Sequence, residues 1–81
     1  MSEARRTALI TGSGRNIGRA IALSLAADGL NVIINGSTRR ELCEPVAEEA
    51  RALGVDASVI MANVADKDDL ARMADSALEQ F

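Results

Sequence analysis

The chain has 81 residues, which limits it to one small domain. It contains no histidine, one cysteine and one aromatic residue, and its net charge is −3. These counts exclude histidine-based acid–base chemistry, His-ligated zinc, an internal disulfide and an aromatic platform for nucleic-acid bases. The Lys and Arg residues form no stripe, and no apolar run reaches the length of a signal peptide or a membrane span. Together with these counts, this predicts a cytoplasmic protein with no membrane, nucleic-acid or metal partner.

The first predicted unit is a short strand, a glycine-rich turn and a helix. Arg6–Ile10 is an apolar run of strand length, and residues 11–18 read Thr-Gly-Ser-Gly-Arg-Asn-Ile-Gly. A helix is predicted over Asn16–Asp28, closed by Gly29 in a left-handed conformation. The helical face predicted to be buried carries Ile17, Ile21 and Leu25. Glycines permit close approach of a ligand, and the free N–H groups of the first helical turn favour an anion. The unit therefore predicts a pyrophosphate site. The alternative is a turn that uses its glycines for geometry alone.

The second predicted unit is a strand over Leu30–Asn35 followed by a helix. Thr38 and Glu41 have the spacing of a capping box, in which each side chain bonds the backbone N–H of the other residue. The predicted inward face of the helix carries Leu42, Val46, Ala50 and Leu53. Pro45 interrupts this pattern, so the alternative is a helix that begins at Pro45 with residues 39–44 as a loop.

The third predicted unit is a strand over Asp56–Ala62 and a helix over Asp66–Phe81. Asp66 is the predicted N-cap, and Asp68 and Asp69 complement the helix dipole in the first turn. The apolar face of this helix carries Leu70, Met73, Ala74, Ala77, Leu78 and Phe81.

Alternating strands and helices predict a doubly wound α/β fold with a parallel sheet. Right-handed crossovers in strand order 3-2-1 place the first two helices on one face and send the third to the other face. The first strand, Thr7–Thr11, then has an uncovered edge, which favours pairing with another strand. We therefore expect residues 1–81 to be one partial domain that ends before a fourth strand. Alone, such a chain should associate, and Leu70, Met73, Leu78 and Phe81 should stay partly exposed.

The loop resembles the Thr-Gly-x-x-x-Gly-x-Gly motif of the short-chain dehydrogenase/reductase family. Thr11-Gly12 matches its start and Ile17-Gly18 its end, whereas Asn16 stands in place of the middle glycine. Asn tolerates positive φ better than most residues, so the turn is expected to survive this replacement. The resemblance covers essentially the whole chain and implies the N-terminal, cofactor-binding half of a Rossmann-type domain. The residues it assigns to the cofactor in this loop are Gly12, Ser13, Gly14, Arg15, Asn16, Ile17 and Gly18.

The end of the second strand predicts NADP(H) in preference to NAD(H). In dinucleotide folds an acidic residue at this point binds the ribose hydroxyls, and no carboxylate occurs between Asp28 and Glu41. Ser37 and Arg39 are instead suited to a 2′-phosphate. Arg15 lies where NADP-preferring members of the family carry a basic residue. The alternative for Arg39 is a solvated helix charge, which is also our interpretation of Arg40.

Asn63 and Val64 follow the third strand, where the family usually has Asp-Val. The resemblance implies that the Asn63 side-chain carbonyl accepts from the adenine amino group and that Val64 packs on the adenine. The alternative for Asn63 is a turn residue that ends the strand.

The family's catalytic Tyr, Lys and Ser have no counterpart here, because the chain contains no tyrosine and its only lysine, Lys67, opens the third helix. The resemblance implies that the complete protein transfers hydride between a nicotinamide cofactor and a small carbonyl or alcohol, and that it is a homo-oligomer. One alternative is a non-catalytic NADP(H)-binding sensor or regulatory module. Another is an interaction segment that binds no ligand.

Overall fold

Strands and helices alternate along the chain in the computed structural model, which describes residues 6–12 and 16–80. In these residues the strands are β1 (Thr7–Ile10), β2 (Asn31–Gly36) and β3 (Ala57–Met61). The helices are α1 (Asn16–Ala27), α2 (Arg40–Ala52) and α3 (Lys67–Gln80). The strands pair in parallel in the order β1-β2-β3, which confirms the predicted neighbours. None of the described helices is long and apolar enough to cross a lipid bilayer.

Two apolar clusters cover opposite faces of the sheet, because successive side chains of β2 point to opposite sides. Val32 and Ile34 pack with α1 and α2 in the larger cluster, whereas Ile33 packs with Met73 of α3 in the smaller one. The third helix therefore lies on the face opposite the first two, as the crossover rule predicts.

The ends of α1 and α3 confirm two of the predicted local signals. Gly29 has φ +94°, its N–H donates to the carbonyl of Ala26, and the N–H of Leu30 donates to the carbonyl of Leu25. These two bonds form the Schellman motif that a left-handed residue after a helix permits. At the start of α3, Asp66 Oδ1 accepts from the N–H groups of Asp68 at 2.9 Å and Asp69 at 3.2 Å.

The predicted capping box at α2 is wrong. The helix begins at Arg40 with Arg39 as its N-cap residue, and no side chain caps it. The Glu41 carboxylate accepts from Arg39 Nε at 2.6 Å instead of reaching back to Thr38. The alternative start at Pro45 is also wrong, because the helix runs through Pro45.

The predicted inward faces are partly wrong in α1 and α2. Ile17 is 76% exposed and Ile21 is exposed, whereas Ala22 and Ala26 are fully buried. Leu53 is the exposed C-cap residue of α2, and the buried residues of the helix are Cys43, Val46, Ala47 and Ala50. The buried faces are rich in small side chains, which allow the two helices to lie close to the sheet and to each other.

The expected exposure of apolar side chains on α3 is confirmed for Leu70 and Leu78, and Leu78 is 79% exposed. The expectation is wrong for Met73, which is fully buried. Met73 reaches the sheet because its long, flexible side chain packs against Ile33 and Ile60. Phe81 lies outside the described residues. Association of the isolated chain stays a prediction, which sedimentation would test.

Candidate functional site

A pocket of about 140 Å³ lies where the carboxyl ends of β1 and β2 meet the start of α2. Parallel strands bring the residues that follow them to one edge of the sheet, where ligands bind in open α/β folds. Gly12, Ser37 and Arg39, three of the predicted cofactor residues, line this pocket together. Its other lining residues are Asn35, Gly36, Thr38, Leu42 and Cys43. This volume is below the roughly 300–1,000 Å³ of pockets that enclose whole drug-sized ligands, so the pocket can hold only part of a dinucleotide.

The two described residues that flank residues 13–15 of the glycine turn have a left-handed backbone. Gly12 has φ +62° and Asn16 has φ +59°, and both values lie in the left-handed region. Asn16 therefore has the positive φ that asparagine tolerates better than most residues, and survival of the whole turn stays a prediction. Ile17 and Gly18 follow in the first turn of α1. Ser13, Gly14 and Arg15 lie outside the described residues.

The strand ends are joined by Asn35, a residue that the sequence analysis did not select. Asn35 is 2% exposed; its Oδ1 accepts from the Gly12 N–H at 3.3 Å, and its Nδ2 donates to the Ile60 carbonyl at 3.0 Å. The signal was present in the sequence as a polar residue at the end of the apolar run Val32–Ile34. A polar side chain buried there requires hydrogen-bond partners.

Gly36 lies in contact with Cys43, which is buried in α2. A Cβ at Gly36 would lie 2.6 Å from Cys43 Sγ and 3.5 Å from Met61 Cε. Burial raises the pKa of the Cys43 thiol, which therefore stays protonated at neutral pH. The sulfur acts here as a compact apolar wall of the pocket.

Exposed ion pairs surround the positive charge at the start of α2. Arg39 Nε lies 2.6 Å from Glu41 Oε2, and Arg40 Nε lies 2.9 Å from Glu44 Oε2. The hydrogen bond from Arg39 lowers the pKa of Glu41. Both members of the Arg39 pair are exposed, and such pairs contribute only about 0–1 kcal/mol to stability. These contacts are those of the alternative interpretation of Arg39 as a solvated charge, and its role toward a ligand stays a prediction.

Asn63 forms a turn directly after β3. Its Oδ1 accepts from the Ala65 N–H at 3.0 Å, and its own N–H donates to Asp69 Oδ2 at 3.0 Å. The alternative interpretation of Asn63 as a turn residue therefore describes its side-chain contacts here. Its Oδ1 keeps a second lone pair for a ligand. Val64 is exposed beside it.

Comparison with known proteins identifies the family to which this chain is similar. The family model for short chain dehydrogenase matches residues 6–81. The chain is 47% identical over 76 residues to 3-oxoacyl-[acyl-carrier-protein] reductase FabG of Staphylococcus aureus, covering 94% of this chain and 31% of that protein. It is 42% identical over 76 residues to versicolorin reductase stcU of Emericella nidulans, covering 94% of this chain and 29% of that protein.

Solved structures give the same result. A putative short-chain dehydrogenase/reductase from Burkholderia xenovorans superimposes with a TM-score of 0.93 at 26% identity, over 99% of this chain and 33% of that one. Acetoin dehydrogenase YohF from Salmonella typhimurium superimposes with a TM-score of 0.73 at 29% identity, over 76% of this chain and 26% of that one.

Three parallel strands with helices on both faces of the sheet define the Rossmann-type class of α/β proteins. Within it, the chain belongs to the short-chain dehydrogenase/reductase family and corresponds to its N-terminal part. The chain spans about a third of the length of the curated relatives it matches, and the two named above are called reductases.

Proposed function

We propose that this chain is the cofactor-binding part of an NADP(H)-dependent oxidoreductase. The observation that carries the proposal is the pocket at the end of β2, where hydroxyl groups and a guanidinium stand in place of a carboxylate. Ser37, Thr38 and Arg39 line it, and the sequence has no acidic residue from Gly29 to Arg40. Donors of this kind suit a dianionic 2′-phosphate, which an acidic side chain would repel.

The remaining residues of the turn suit the pyrophosphate. Gly12 and Asn16 hold the left-handed backbone that brings the chain to the start of α1, where an anion is favoured. In the proposal Gly12 to Gly18 hold the pyrophosphate, Ser37 and Arg39 hold the 2′-phosphate, and Asn63 and Val64 contact the adenine. The nicotinamide supplies hydride chemistry when it is bound. These residues bind and orient it, and the groups that move protons lie elsewhere in the complete protein.

The names of the relatives favour an enzyme over a cofactor-binding sensor. FabG is named as a reductase of 3-oxoacyl groups and stcU as a versicolorin reductase. By analogy, the complete protein reduces a small-molecule carbonyl or oxidises the corresponding alcohol. It works as a homo-oligomer in the cytoplasm. Activity with NADPH on a 3-oxoacyl thioester is the direct assay.

Cofactor preference is tested by titrating the complete protein with NADPH and NADH at equal ionic strength. NADPH should bind more tightly. Arg15→Ala should weaken NADPH about ten- to hundredfold and leave NADH nearly unchanged, because a hydrogen bond to a charged group contributes about 1.5–3 kcal/mol. Equal affinities, or a preference for NADH, would contradict the proposal.

Two neighbouring arginines provide a matched pair for the 2′-phosphate. Arg39 lines the pocket, whereas Arg40 is paired with Glu44 and is not among the lining residues. Arg39→Ala should weaken NADPH more than NADH, and Arg40→Ala should leave both affinities near those of the wild type. Equal losses from the two substitutions would show that general positive charge, and not a contact in the pocket, sets the preference.

A further inference from the structure

Asn35 is buried where the carboxyl ends of the strands meet. From its place on β2, its Oδ1 accepts from the N–H of Gly12, two residues beyond β1. Its Nδ2 donates to the carbonyl of Ile60 in β3 at 3.0 Å and lies 3.4 Å from the carbonyl of Ala62. The same nitrogen is 3.4 Å from Met73 Sδ of α3. One side chain therefore contacts segments that follow or belong to β1, β3 and α3.

Both ends of this amide are needed in this orientation. The Gly12 N–H can only donate and the Ile60 carbonyl can only accept, so an oxygen must face Gly12 and an N–H must face Ile60. An aliphatic side chain supplies neither group. An ionised carboxylate supplies the acceptor but would place a second oxygen against the carbonyls of Ile60 and Ala62.

We propose that Asn35 is a positioning residue for dinucleotide binding, an inference that rests on the proposed function. Its oxygen holds Gly12, which opens the turn proposed for the pyrophosphate. Its nitrogen holds Ile60 and Ala62, directly before the Asn63 and Val64 proposed for the adenine. The amide thus fixes the distance between two subsites that must contact one cofactor together, and a preformed geometry lowers the entropic cost of binding.

Two substitutions in the complete protein test this role. Asn35→Leu keeps a branched side chain and removes both hydrogen bonds, so NADP⁺ affinity should fall by about tenfold or more, the scale of a buried pair left unsatisfied. Asn35→Asp keeps the acceptor for Gly12. When its carboxyl is protonated, the O–H can donate to Ile60, so this variant should bind NADP⁺ almost as the wild type does.

The pH dependence of NADP⁺ affinity in Asn35→Asp, compared with its melting temperature at each pH, separates positioning from a simple loss of stability. Burial among apolar groups raises the pKa of the introduced carboxyl, so its affinity for NADP⁺ should fall as the pH rises from about 6 to 9. The wild type, measured over the same range, corrects for the other ionisable groups. Of these, Cys43 and Arg39 line the same pocket, and Asp69 and Arg72 contact the end of β3 and the loop after it.

Asn31 is a matched control at the opposite end of the same strand. Its Oδ1 accepts from the Asp56 N–H at 3.0 Å, far from the proposed cofactor residues in the strand direction. Asn31→Ala should lower the melting temperature but leave NADP⁺ affinity unchanged. If Asn31→Ala and Asn35→Leu weaken NADP⁺ equally, or if Asn35→Leu binds as the wild type does, Asn35 has no positioning role.

Hydrogen exchange at the Gly12 amide tests the contact without any cofactor. The amide should be protected in the wild type and should exchange at least about tenfold faster in Asn35→Leu, because opening would no longer break a hydrogen bond. Exchange that is equally fast in both proteins would overturn the inference. If the Gly12 amide were protected in a wild type that binds neither NADP⁺ nor NAD⁺, the contact with Asn35 would be established. The proposed function would then be wrong.

Discussion

Substitution of Gly36 by alanine tests the packing of the pocket wall, because the sign of its effect depends on one sulfur atom. The Cβ of alanine would lie 2.6 Å from Cys43 Sγ, well inside the optimal separation of about 3.5–4.0 Å. Cys43 is buried in the cluster that also holds Val46 and Ala47, so the core restricts movement of the sulfur on every side except that of the pocket. Overpacking of this kind costs about 1–3 kcal/mol.

An opposite effect acts on the unfolded chain. Glycine-to-alanine replacement stabilises a protein by about 0.4–1 kcal/mol where the backbone accepts alanine, because the unfolded chain loses conformational freedom. Gly36 does not have the left-handed backbone of Gly12, Gly29 and Gly54. Gly36→Ala should therefore lower the free energy of unfolding by about 0–2.5 kcal/mol. In a Cys43→Ala background the clash is absent, and the same substitution should stabilise by about 0.4–1 kcal/mol.

Thermal melting of the wild type, the two single variants and the double variant measures the change in stability caused by Gly36→Ala in each background. For a complete domain of about 150–250 residues, 1 kcal/mol corresponds to a change in melting temperature of about 2–4 °C. Gly36→Ala should lower the melting temperature in the wild-type background and raise it in the Cys43→Ala background. A shift of the same sign and size in both backgrounds would refute the steric reasoning and show that Cys43 does not set the size of the residue at Gly36.

Two further predictions concern the glycine turn and the cap of α3. Gly12→Val should abolish cofactor binding, because a β-branched residue at φ +62° is strained. Asn16→Gly, at φ +59°, should bind the cofactor as the wild type does. If a cofactor titration gave the reverse result, the proposed position of the turn at the cofactor would be wrong. Asp66→Ala should cost about 0.5–2 kcal/mol, because the N–H groups of Asp68 and Asp69 lose their acceptor. Asp66→Asn should melt close to the wild type, and equal losses from both Asp66 variants would argue against a capping role.

Local signals in the sequence predicted the fold almost completely. The alternation of strands and helices, the strand neighbours and the side of the sheet that each helix covers all follow from hydrophobic patterning and crossover handedness. Gly29 and Asp66 were also predictable, because each satisfies backbone groups only a few residues away. Asn16 belongs with them, since the positive φ is a property of the turn itself.

Contacts between elements could not be predicted in this way. Which side of α1 is buried depends on how closely the helix approaches the sheet, and Ala22 and Ala26 permit an approach that Ile17 and Ile21 do not. The sequence pattern favoured the larger side chains because it counts hydrophobicity, whereas the packed structure also selects for size. At the start of α2, the carboxylate of Glu41 had two partners within reach, and it binds the nearby Arg39 in place of the cap.

The same distinction between local signals and contacts between elements applies to the candidate site. The sequence by itself determined the glycine turn, the missing carboxylate after β2 and the polar residues Ser37 and Arg39, because these are properties of short consecutive segments. Only the tertiary structure showed that Asn35 bridges Gly12 and Ile60, residues 23 and 25 positions away from it. Burial makes both bonds necessary, and burial is decided only when the strands pair and α3 covers the sheet.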